Sequence, residues 1–437
     1  MIPIAFDTDR ALLDVHWLVR EIGPRVHESP QEADAVRGVI ERLSEAGWTV
    51  RMRHGSPVAC RGDSSILYLA HVDSVAGSPG AVDNAAGVAV LLELARNTSA
   101  RNLCLGFPVG EEAGLRGSRA LASGWDEPLQ LVVSLDLIGT GSPTAIDLNR
   151  SWGSTELRWL KRHTAIEVPI LHRIVGRALP QWRSDHGPFA ATGTLAFQIM
   201  TRGPDAVFTR YHQATDDTVD PQAMVATATA LDALATNGPP PRGAPDPALP
   251  VGSWVIPGSV VWGAFGLGLL SGIPGLARPR ALLPDAVRLL AMTGAAAIGM
   301  LLPLHIGFPV SEAEQTVYDV VGLEPTGWWN AAPWSVALAW AAWLFFWRAL
   351  PGTGHPALPA AVLSMIALAI DPLVALPFSL AAVLVRVHPL FGAFPAVLLV
   401  RPEPLREFAF WGIMPPSAWP ILFLAACAAV GRIQTGR

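Results

Sequence analysis

Hydrophobic and polar positions follow one pattern up to residue 236 and another beyond residue 250. In the first part, short apolar runs alternate with amphipathic stretches, in which apolar residues recur every three to four positions as on one face of a helix. The apolar runs predict strands at residues 48–52, 66–70, 103–109, 129–137 and 195–200. The amphipathic stretches predict helices at residues 10–22, 30–46, 84–96, 114–122 and 221–235. Strands that alternate with helices favour an α/β fold, with a mostly parallel mixed sheet in a three-layer sandwich.

The apolar runs of the second part approach the ~20 residues that a transmembrane helix needs. They occupy residues 251–270, 286–306, 334–350, 358–400 and 419–430. The fourth run is interrupted by charged residues and prolines, so it predicts two or three spans, and the last run is short. Several tryptophans fall near the predicted span ends, as in an interfacial aromatic belt. An all-α transmembrane bundle of five to seven helices is therefore predicted for residues 251–437.

Charged residues follow the same division. The chain has 31 Lys and Arg and 36 Asp and Glu, and only about 17 of these lie in residues 251–437, so the two parts are expected to face different solvents. Residues 237–250, rich in proline and glycine, predict a stiff linker after a first domain at residues 1–236. The net charge of −5 and the scattered basic residues argue against nucleic-acid binding.

Potential metal ligands follow the predicted strands. The strand at residues 66–70 leads into His71-Val72-Asp73, at the carboxyl end where open α/β sheets bind ligands. Asp83 comes shortly afterwards, ahead of a helix. The next strand leads into Glu111 and Glu112, adjacent carboxylates that repel each other unless a cation lies beside them.

Two further residues complete this pattern. Asp136 lies near the end of the otherwise apolar strand at residues 129–137, where a buried carboxylate needs a cation or several donors. His212 precedes the last helix of the first part. Together the two histidines and three carboxylates offer enough nitrogen and oxygen ligands for two divalent ions that share one bridging carboxylate.

The three cysteines show no zinc-finger spacing, so histidines and carboxylates must hold any metal. Cys60 and Cys104 could pair if the first domain is extracytoplasmic. Two buried free thiols are the favoured expectation.

Six motifs in this order, HVDS, PGAVDNAAG, EEAGLRGS, SLDLIG, SDHGPF and YHQATDDT, resemble the co-catalytic dinuclear zinc aminopeptidases of clan MH, typified by bacterial leucyl aminopeptidases and aminopeptidase Y. The resemblance covers roughly residues 8–236. It implies a zinc exopeptidase fold, two Zn²⁺ per chain, and a peptide or protein substrate with a free N-terminus. A domain of this kind ahead of a multi-span region is also similar to endoplasmic-reticulum metallopeptidases.

The resemblance implies which residues bind the metals. Asp83 would bridge the two zinc ions, His71 and Asp136 would complete one site, and Glu112 and His212 would complete the other. The implied function is a membrane-anchored aminopeptidase, in contact with the lipid bilayer, that hydrolyses N-terminal peptide bonds with a dizinc-activated water.

The resemblance also implies two catalytic roles. Glu111 would be the general base. Asp73 would accept a hydrogen bond from the non-ligating nitrogen of His71 and so fix its tautomer. The peptide bond between Asp83 and Asn84 would be cis.

Other functions stay open. Glutaminyl cyclases share the implied fold but perform a cyclisation with one zinc. In a different class, the chain would be a transporter or scaffold with a peptidase-like sensor domain, since Asp371 is an ionisable residue in an apolar stretch. The deacylase and dipeptidase branch of clan MH is disfavoured, because the interval between Asp136 and His212 is too short for its inserted dimerisation domain.

Two features of the sequence disagree about which side of the membrane the first domain occupies. Arg278, Arg280 and Arg288 follow the first predicted span and the next loop is acidic, so the positive-inside rule puts the first domain outside the cytoplasm. Residues 1–10, however, show no apolar segment of a secretory signal. We expect an extracytoplasmic peptidase domain in a multi-pass membrane protein.

Overall fold

The computed structural model describes residues 5–62, 65–178, 184–202 and 210–276, together with eight single positions between residues 364 and 383. The chain divides into two compact units, residues 1–257 and 258–437. The predicted linker belongs to the first unit, because the backbone N–H of Gly243 donates to Glu156 at 2.6 Å and the N–H of Ser154 donates to Asp246 at 2.7 Å.

One sheet forms the centre of the first unit. Its strands are β1 (Val50–Arg53), β2 (Ser56–Arg61), β3 (Ile66–Leu69), β4 (Leu103–Gly106), β5 (Leu131–Leu135), β6 (Ser142–Ile146) and β7 (Leu195–Arg202). They lie in the order β1-β2-β4-β3-β5-β7-β6. β4, β3, β5 and β7 run parallel, whereas β1, β2 and β6 pair antiparallel at the two edges. The sheet is therefore mixed, and its parallel part is confined to the centre.

Helices cover both faces of this sheet. They are α1 (Thr8–His16, continued by a π-helical segment at Trp17–Ile22), α2 (Pro30–Glu45), α3 (Ala86–Asn97), α4 (Arg116–Ser123), α5 (Ser154–His163), α6 (Ile170–Ala178), α7 (His186–Ala191) and α8 (Pro221–Asn237). Side chains of α1, α2, α3, α5 and α8 share one core cluster with one face of the sheet, and side chains of α4 and α7 share another cluster with the opposite face. The predicted three-layer arrangement is thus present.

β3 shows how the two layers hold the centre of the sheet. Ile66 and Tyr68 belong to the first cluster and Leu67 and Leu69 to the second, because successive side chains point to opposite faces. All four are fully buried, and full burial of a Leu or Ile side chain stabilises the fold by about 1.5–3 kcal/mol. The hydroxyl of Tyr68 donates to the carbonyl of Leu231 at 2.8 Å. The carboxyl ends of the central strands are therefore held in place by packing on both faces of the sheet.

Local sequence explains where two of the helices begin. Ser29 caps α2 by accepting the N–H of Glu32 at 3.1 Å, and Pro30 occupies the first turn. Asp220 caps α8 by accepting the N–H of Gln222 at 2.9 Å, again with a proline in the first turn. The cap residue followed by proline thus predicts both starts correctly.

A disulfide joins Cys60 and Cys104, so the expectation of two free thiols is wrong. Cys60 lies in β2 and Cys104 in β4, and the two are direct cross-strand partners in the antiparallel pairing. Their sulfur atoms are 2.07 Å apart. The expectation failed because β2 was not predicted, and only the pairing of β2 with β4 places the two thiols opposite each other.

Residues 249–276 differ from the membrane span predicted at residues 251–270. A hairpin of β8 (Leu249–Val251) and β9 (Trp254–Ile256) occupies the start of that range, with its turn at Gly252, and helix α9 (Gly258–Leu276) begins only after Pro257. Across the described ranges, we find no helix that combines the length and the apolar character needed to cross a membrane. The other predicted spans, and Asp371, lie outside the described residues apart from the single positions given above.

Candidate metal centre and active site

The five predicted ligands come together at one edge of the sheet. His71 follows β3, Glu112 follows β4 and Asp136 follows β5, so three adjacent parallel strands deliver them at their carboxyl ends. Asp83 lies in a kinked turn at residues 81–85, where its own backbone is not helical, just before α3, and His212 lies in the segment before α8. Side chains that are far apart in the sequence therefore meet because the strands that carry them are neighbours.

The ligands form two groups that share Asp83. In the first group, Nε2 of His71 lies 3.2 Å from Oδ1 of Asp83 and 4.0 Å from Oδ1 of Asp136. In the second, Nε2 of His212 lies 3.3 Å from Oδ2 of Asp83 and 3.0 Å from Oε2 of Glu112. Within each group, one donor atom from each residue lies within 4.8 Å of the others. The two oxygens of Asp83 thus face different groups, as those of a bridging carboxylate do.

Two of these donor atoms are buried without a hydrogen-bond partner among the described residues. They are Nε2 of His71 and Oδ2 of Asp83. Leaving a buried polar atom unpaired costs about 1–3 kcal/mol. Nitrogen and carboxylate donors arranged in this way fit Zn²⁺, which binds His and Asp or Glu and keeps a position open in catalytic sites.

The titratable side chains of the second group shift one another's pKa values. Burial alone would raise the pKa of Asp83, but His212 and His71 hold that pKa well below its usual range. Burial would lower the pKa of His212, yet Asp83 and Glu112 raise it to about 10. Burial and the charge of Asp83 raise the pKa of Glu112 to about 7. At neutral pH the metal-free site therefore holds protons that a divalent cation must displace.

Glu111 lies beside the two ligand groups and belongs to neither of them. Burial raises the pKa of its carboxyl group well above the usual value, the charge of His71 opposes this, and Glu112 and Asp136 raise the pKa further. A raised pKa suits a group that takes up and returns a proton near neutral pH. This environment is compatible with the role of general base that the resemblance implies.

Asp73 contacts both His71 and the loop that carries Glu111 and Glu112. Its carboxylate accepts the backbone N–H groups of Glu111 and Glu112, each at 3.0 Å. Nδ1 of His71 lies 3.1 Å from the backbone carbonyl oxygen of Asp73 and 3.6 Å from its carboxylate. The role of Asp73 in fixing the tautomer of His71 therefore stays a prediction, and its carboxylate also holds the loop of Glu111 and Glu112.

Asp216 holds the turn that carries Asp83, a role that sequence reasoning missed. Its two carboxylate oxygens accept the N–H groups of Val82 at 2.9 Å and of Asp83 at 3.2 Å. The peptide bond between Asp83 and Asn84 is cis, as the resemblance implies. Asp216 shares the motif YHQATDDT with His212, and this proximity in the sequence is the signal that could have identified it.

The motif SDHGPF contributes a buried polar cluster behind β5. Oγ of Ser184 donates to Oγ of Ser134 at 3.1 Å, and Oγ of Ser134 lies 3.2 Å from Nδ1 of His186. Ser134 points to the same face of the strand as Asp136 because the two are two residues apart. The motif therefore supports the strand end that delivers Asp136, although sequence reasoning assigned it no contact.

Comparisons with known proteins match the part of the chain that contains the two ligand groups. Residues 50–236 match the family model described as Peptidase family M28. Aminopeptidase YwaD of Bacillus subtilis (strain 168) is 32% identical over 155 residues, which cover 32% of this chain and 33% of the relative. The chain thus spans about a third of the length of the curated relative that it matches.

Several solved structures are similar to this chain at low sequence identity. The zinc aminopeptidase BSAP from Bacillus subtilis has a TM-score of 0.44 at 14% identity, over 53% of this chain and 94% of BSAP. The aminopeptidase from Aneurinibacillus sp. strain AM-1 has a TM-score of 0.43 at 16% identity, over 56% and 97%. A glutaminyl cyclase from Bacteroides thetaiotaomicron has a TM-score of 0.42 at 17% identity, over 53% and 98%.

The family match covers every residue that the sequence pattern singles out as a ligand or as the general base. It confirms the expectation of a zinc metallopeptidase, which rested on the order of six short motifs. Residues 50–236 of this chain therefore match Peptidase family M28, and in this part the chain is similar to zinc metallopeptidases.

Proposed function

We propose that this chain is an aminopeptidase whose active site holds two Zn²⁺ ions. His71, Asp83 and Asp136 would hold one ion, and Asp83, Glu112 and His212 would hold the other. The observation that carries the proposal is that the two oxygens of one buried carboxylate face two separate sets of ligands. A site for a single zinc would need only one of these sets.

In this proposal the residues of the chain orient the reacting groups and move the proton. Bound zinc supplies Lewis-acid polarisation of the scissile carbonyl and lowers the pKa of a coordinated water towards ~7. Glu111 takes a proton from the attacking water and returns it to the leaving amine. Asp73 holds the amides of Glu111 and Glu112 and so keeps the base next to a metal ligand.

The substrate that we propose is a peptide or protein with a free N-terminus. Support comes from the matched relative, which is named an aminopeptidase. The active-site geometry itself is compatible with any peptide bond that reaches the two ligand groups, so the position of cleavage has to be measured.

We expect the purified full-length chain, supplied with zinc, to release the first residue of an unblocked peptide and to leave the N-acetylated form of that peptide intact. Mass spectrometry of the products measures both outcomes. A chelator should abolish the reaction and added zinc should restore it. Equal cleavage of both peptides would contradict the aminopeptidase assignment. Conversion of an N-terminal glutamine to pyroglutamate without hydrolysis would favour a glutaminyl cyclase.

We further propose that segments beyond residue 276 anchor the chain in a lipid bilayer and that the peptidase domain lies on the extracytoplasmic side. The long apolar runs and the basic and acidic loops of the sequence support this arrangement. The disulfide between Cys60 and Cys104 supports the same side, because disulfides persist mainly in oxidising compartments.

A tag at the N-terminus of the full-length chain is therefore expected to be digested by protease added to intact cells. The intact tag is quantified by immunoblotting, and a cytoplasmic protein serves as the control for cell integrity. A tag that stays protected until the membrane is permeabilised would place the domain in the cytoplasm. Recovery of the whole chain in the soluble fraction after cell breakage would contradict membrane anchoring.

A further inference from the structure

Arg25 is a fully buried arginine in the segment between the π-helical continuation of α1 and α2, ahead of the residues that match the family model. Five hydrogen bonds link its guanidinium group to the protein, and all five go to backbone carbonyl oxygens. The acceptors are Leu18 at 3.1 Å, Gly23 at 3.1 Å, Val72 at 2.7 Å, Pro79 at 2.8 Å and Gly80 at 3.1 Å. Burial of a cation that has no ion-pair partner costs folding free energy, which these five hydrogen bonds partly offset.

Three of these carbonyl groups belong to the two loops that carry ligands of the first group. Val72 lies directly after His71, and Pro79 and Gly80 lead into the turn of Asp83. The guanidinium group therefore links the loop of one ligand to the loop of the other.

The backbone of Arg25 strengthens this link. Its N–H donates to Oγ of Ser74 at 3.0 Å, and the N–H of Ser74 donates to the carbonyl of Arg25 at 3.1 Å. Oγ of Ser74 in turn donates to the carbonyl of Ser78 at 3.2 Å. Main chain and side chain of Arg25 thus hold the same pair of loops.

Gly80 shows how closely the guanidinium group fits beneath the turn. A Cβ atom at this position would lie 3.0 Å from Nη2 of Arg25 and only 2.3 Å from the carbonyl oxygen of Asp83, and the φ angle of Gly80 is +61°. No side chain fits between Arg25 and the turn. A small displacement of the guanidinium group would therefore be transmitted to Asp83.

The charge of Arg25 also acts on the site. Burial lowers the pKa of Arg25 to about 10, and the carboxylates of Asp73, Asp83, Asp216 and Glu112 oppose this effect. Arg25 thus stays protonated at neutral pH. Its positive charge partly offsets the concentration of carboxylates around the two ligand groups, without a direct contact that would compete with a metal for their oxygen atoms.

We propose that Arg25 is a positioning residue that sets the separation of His71 and Asp83 for metal binding. Arg25 acts through the carbonyl groups of the two loops and touches neither the metal nor the substrate. The part of the proposal that concerns metal affinity rests on the proposed zinc site, whereas the part that concerns loop order does not. The active site of this chain therefore extends to a segment before residue 50.

Arg173 offers a matched control in the same domain. It is also fully buried, and its guanidinium group donates to the carbonyl oxygens of Leu148, Asn149, Trp152 and Ala248. None of these residues flanks a ligand of either group. Loss of a buried arginine at this position should disturb packing to a similar degree without affecting the loops of His71 and Asp83.

The test compares Arg25→Lys and Arg173→Lys in the full-length chain. Lysine keeps the charge but cannot form hydrogen bonds with several carbonyl groups in one plane. We expect Arg25→Lys to weaken zinc binding about 10–100-fold, the usual range for loss of a group that orients a ligand, and Arg173→Lys to stay close to the wild type. Competition with a chromogenic chelator measures the affinity. In the metal-free proteins, hydrogen exchange of the amides of residues 80–83 should be faster in Arg25→Lys only.

Two results would overturn the proposal. One is a zinc affinity and an exchange rate in Arg25→Lys that match the wild type, and the other is an equal loss in both variants, which would indicate a general packing role. If Arg25→Lys does not fold, Ser74→Ala decides the matter, because it removes the Oγ atom that joins the N–H of Arg25 to the carbonyl of Ser78 and should weaken zinc binding several-fold. If the wild-type chain binds no zinc, the proposed function fails, while the exchange rates of the metal-free proteins still test the role of Arg25 in loop order.

Discussion

Replacement of Glu111 by glutamine is expected to lower kcat by about 10²–10⁴-fold and to leave the zinc content unchanged. Glutamine keeps the size of the side chain but cannot take up the proton of the attacking water. The metal should remain because Glu111 belongs to neither ligand group, and the hydrogen bond to Asp73 uses the backbone N–H of residue 111. Steady-state kinetics on an unblocked peptide and elemental analysis of the purified variant measure the two quantities.

Glu28→Gln is the control for this experiment. The Glu28 side chain is exposed and lies 3.6 Å from Arg116, which begins helix α4 shortly after the loop of Glu111. Its replacement removes a nearby negative charge without removing the proposed base, so kcat should stay close to the wild-type value. If Glu111→Gln retained most of its activity, or if both variants lost activity equally, Glu111 would not be the general base.

Replacement of Asp83 by alanine is expected to remove both zinc ions and with them all measurable peptidase activity. Its two carboxylate oxygens lie 3.2 Å and 3.3 Å from the histidine nitrogens of the two groups, so a single substitution removes one ligand from each site. Loss of one partner from a buried ion pair typically costs about 3–5 kcal/mol, so circular dichroism must first show that the variant is folded. Zinc content is then measured after dialysis against buffer with trace zinc.

Asp136→Ala and Glu112→Ala provide the comparison that makes this result specific. Each of these residues belongs to one group only, so each variant is expected to lose tight binding of one ion and to keep the other. A folded Asp83→Ala variant that retains one equivalent of zinc would contradict the bridging role. Loss of both ions in all three variants would show that the two sites form only as a unit.

The sequence pattern predicted the central strands well because they are buried along their whole length. β3, β4 and β5 are buried on both faces, and such strands read as continuous apolar runs. The edge strand β6 contains serine and proline and was missed, since a short edge strand is held by its neighbour rather than by its own composition.

β2 was also missed, although a local signal was present. His54 and Gly55 both have positive φ angles and join β1 to β2 as a two-residue hairpin turn. Recognition of this turn would have predicted a strand at residues 56–61. It would not have predicted the disulfide, because the contact of Cys60 with Cys104 depends on the pairing of β2 with β4 rather than on any turn.

By itself, the sequence determined the central strands, the ligand types and the order in which the ligands appear, because these depend on local hydrophobic periodicity and on motifs of a few residues. Only the tertiary structure decided which atoms meet: that Asp83 faces both histidines, that the carboxylate of Asp73 accepts two backbone amides, and that residues 237–250 pack against the first domain. The same holds for Arg25, whose partners at residues 18, 23, 72, 79 and 80 are brought together only when the sheet and its loops have formed. Such contacts join residues that are distant in the chain, and their geometry is set by packing of the whole domain, which no local pattern records.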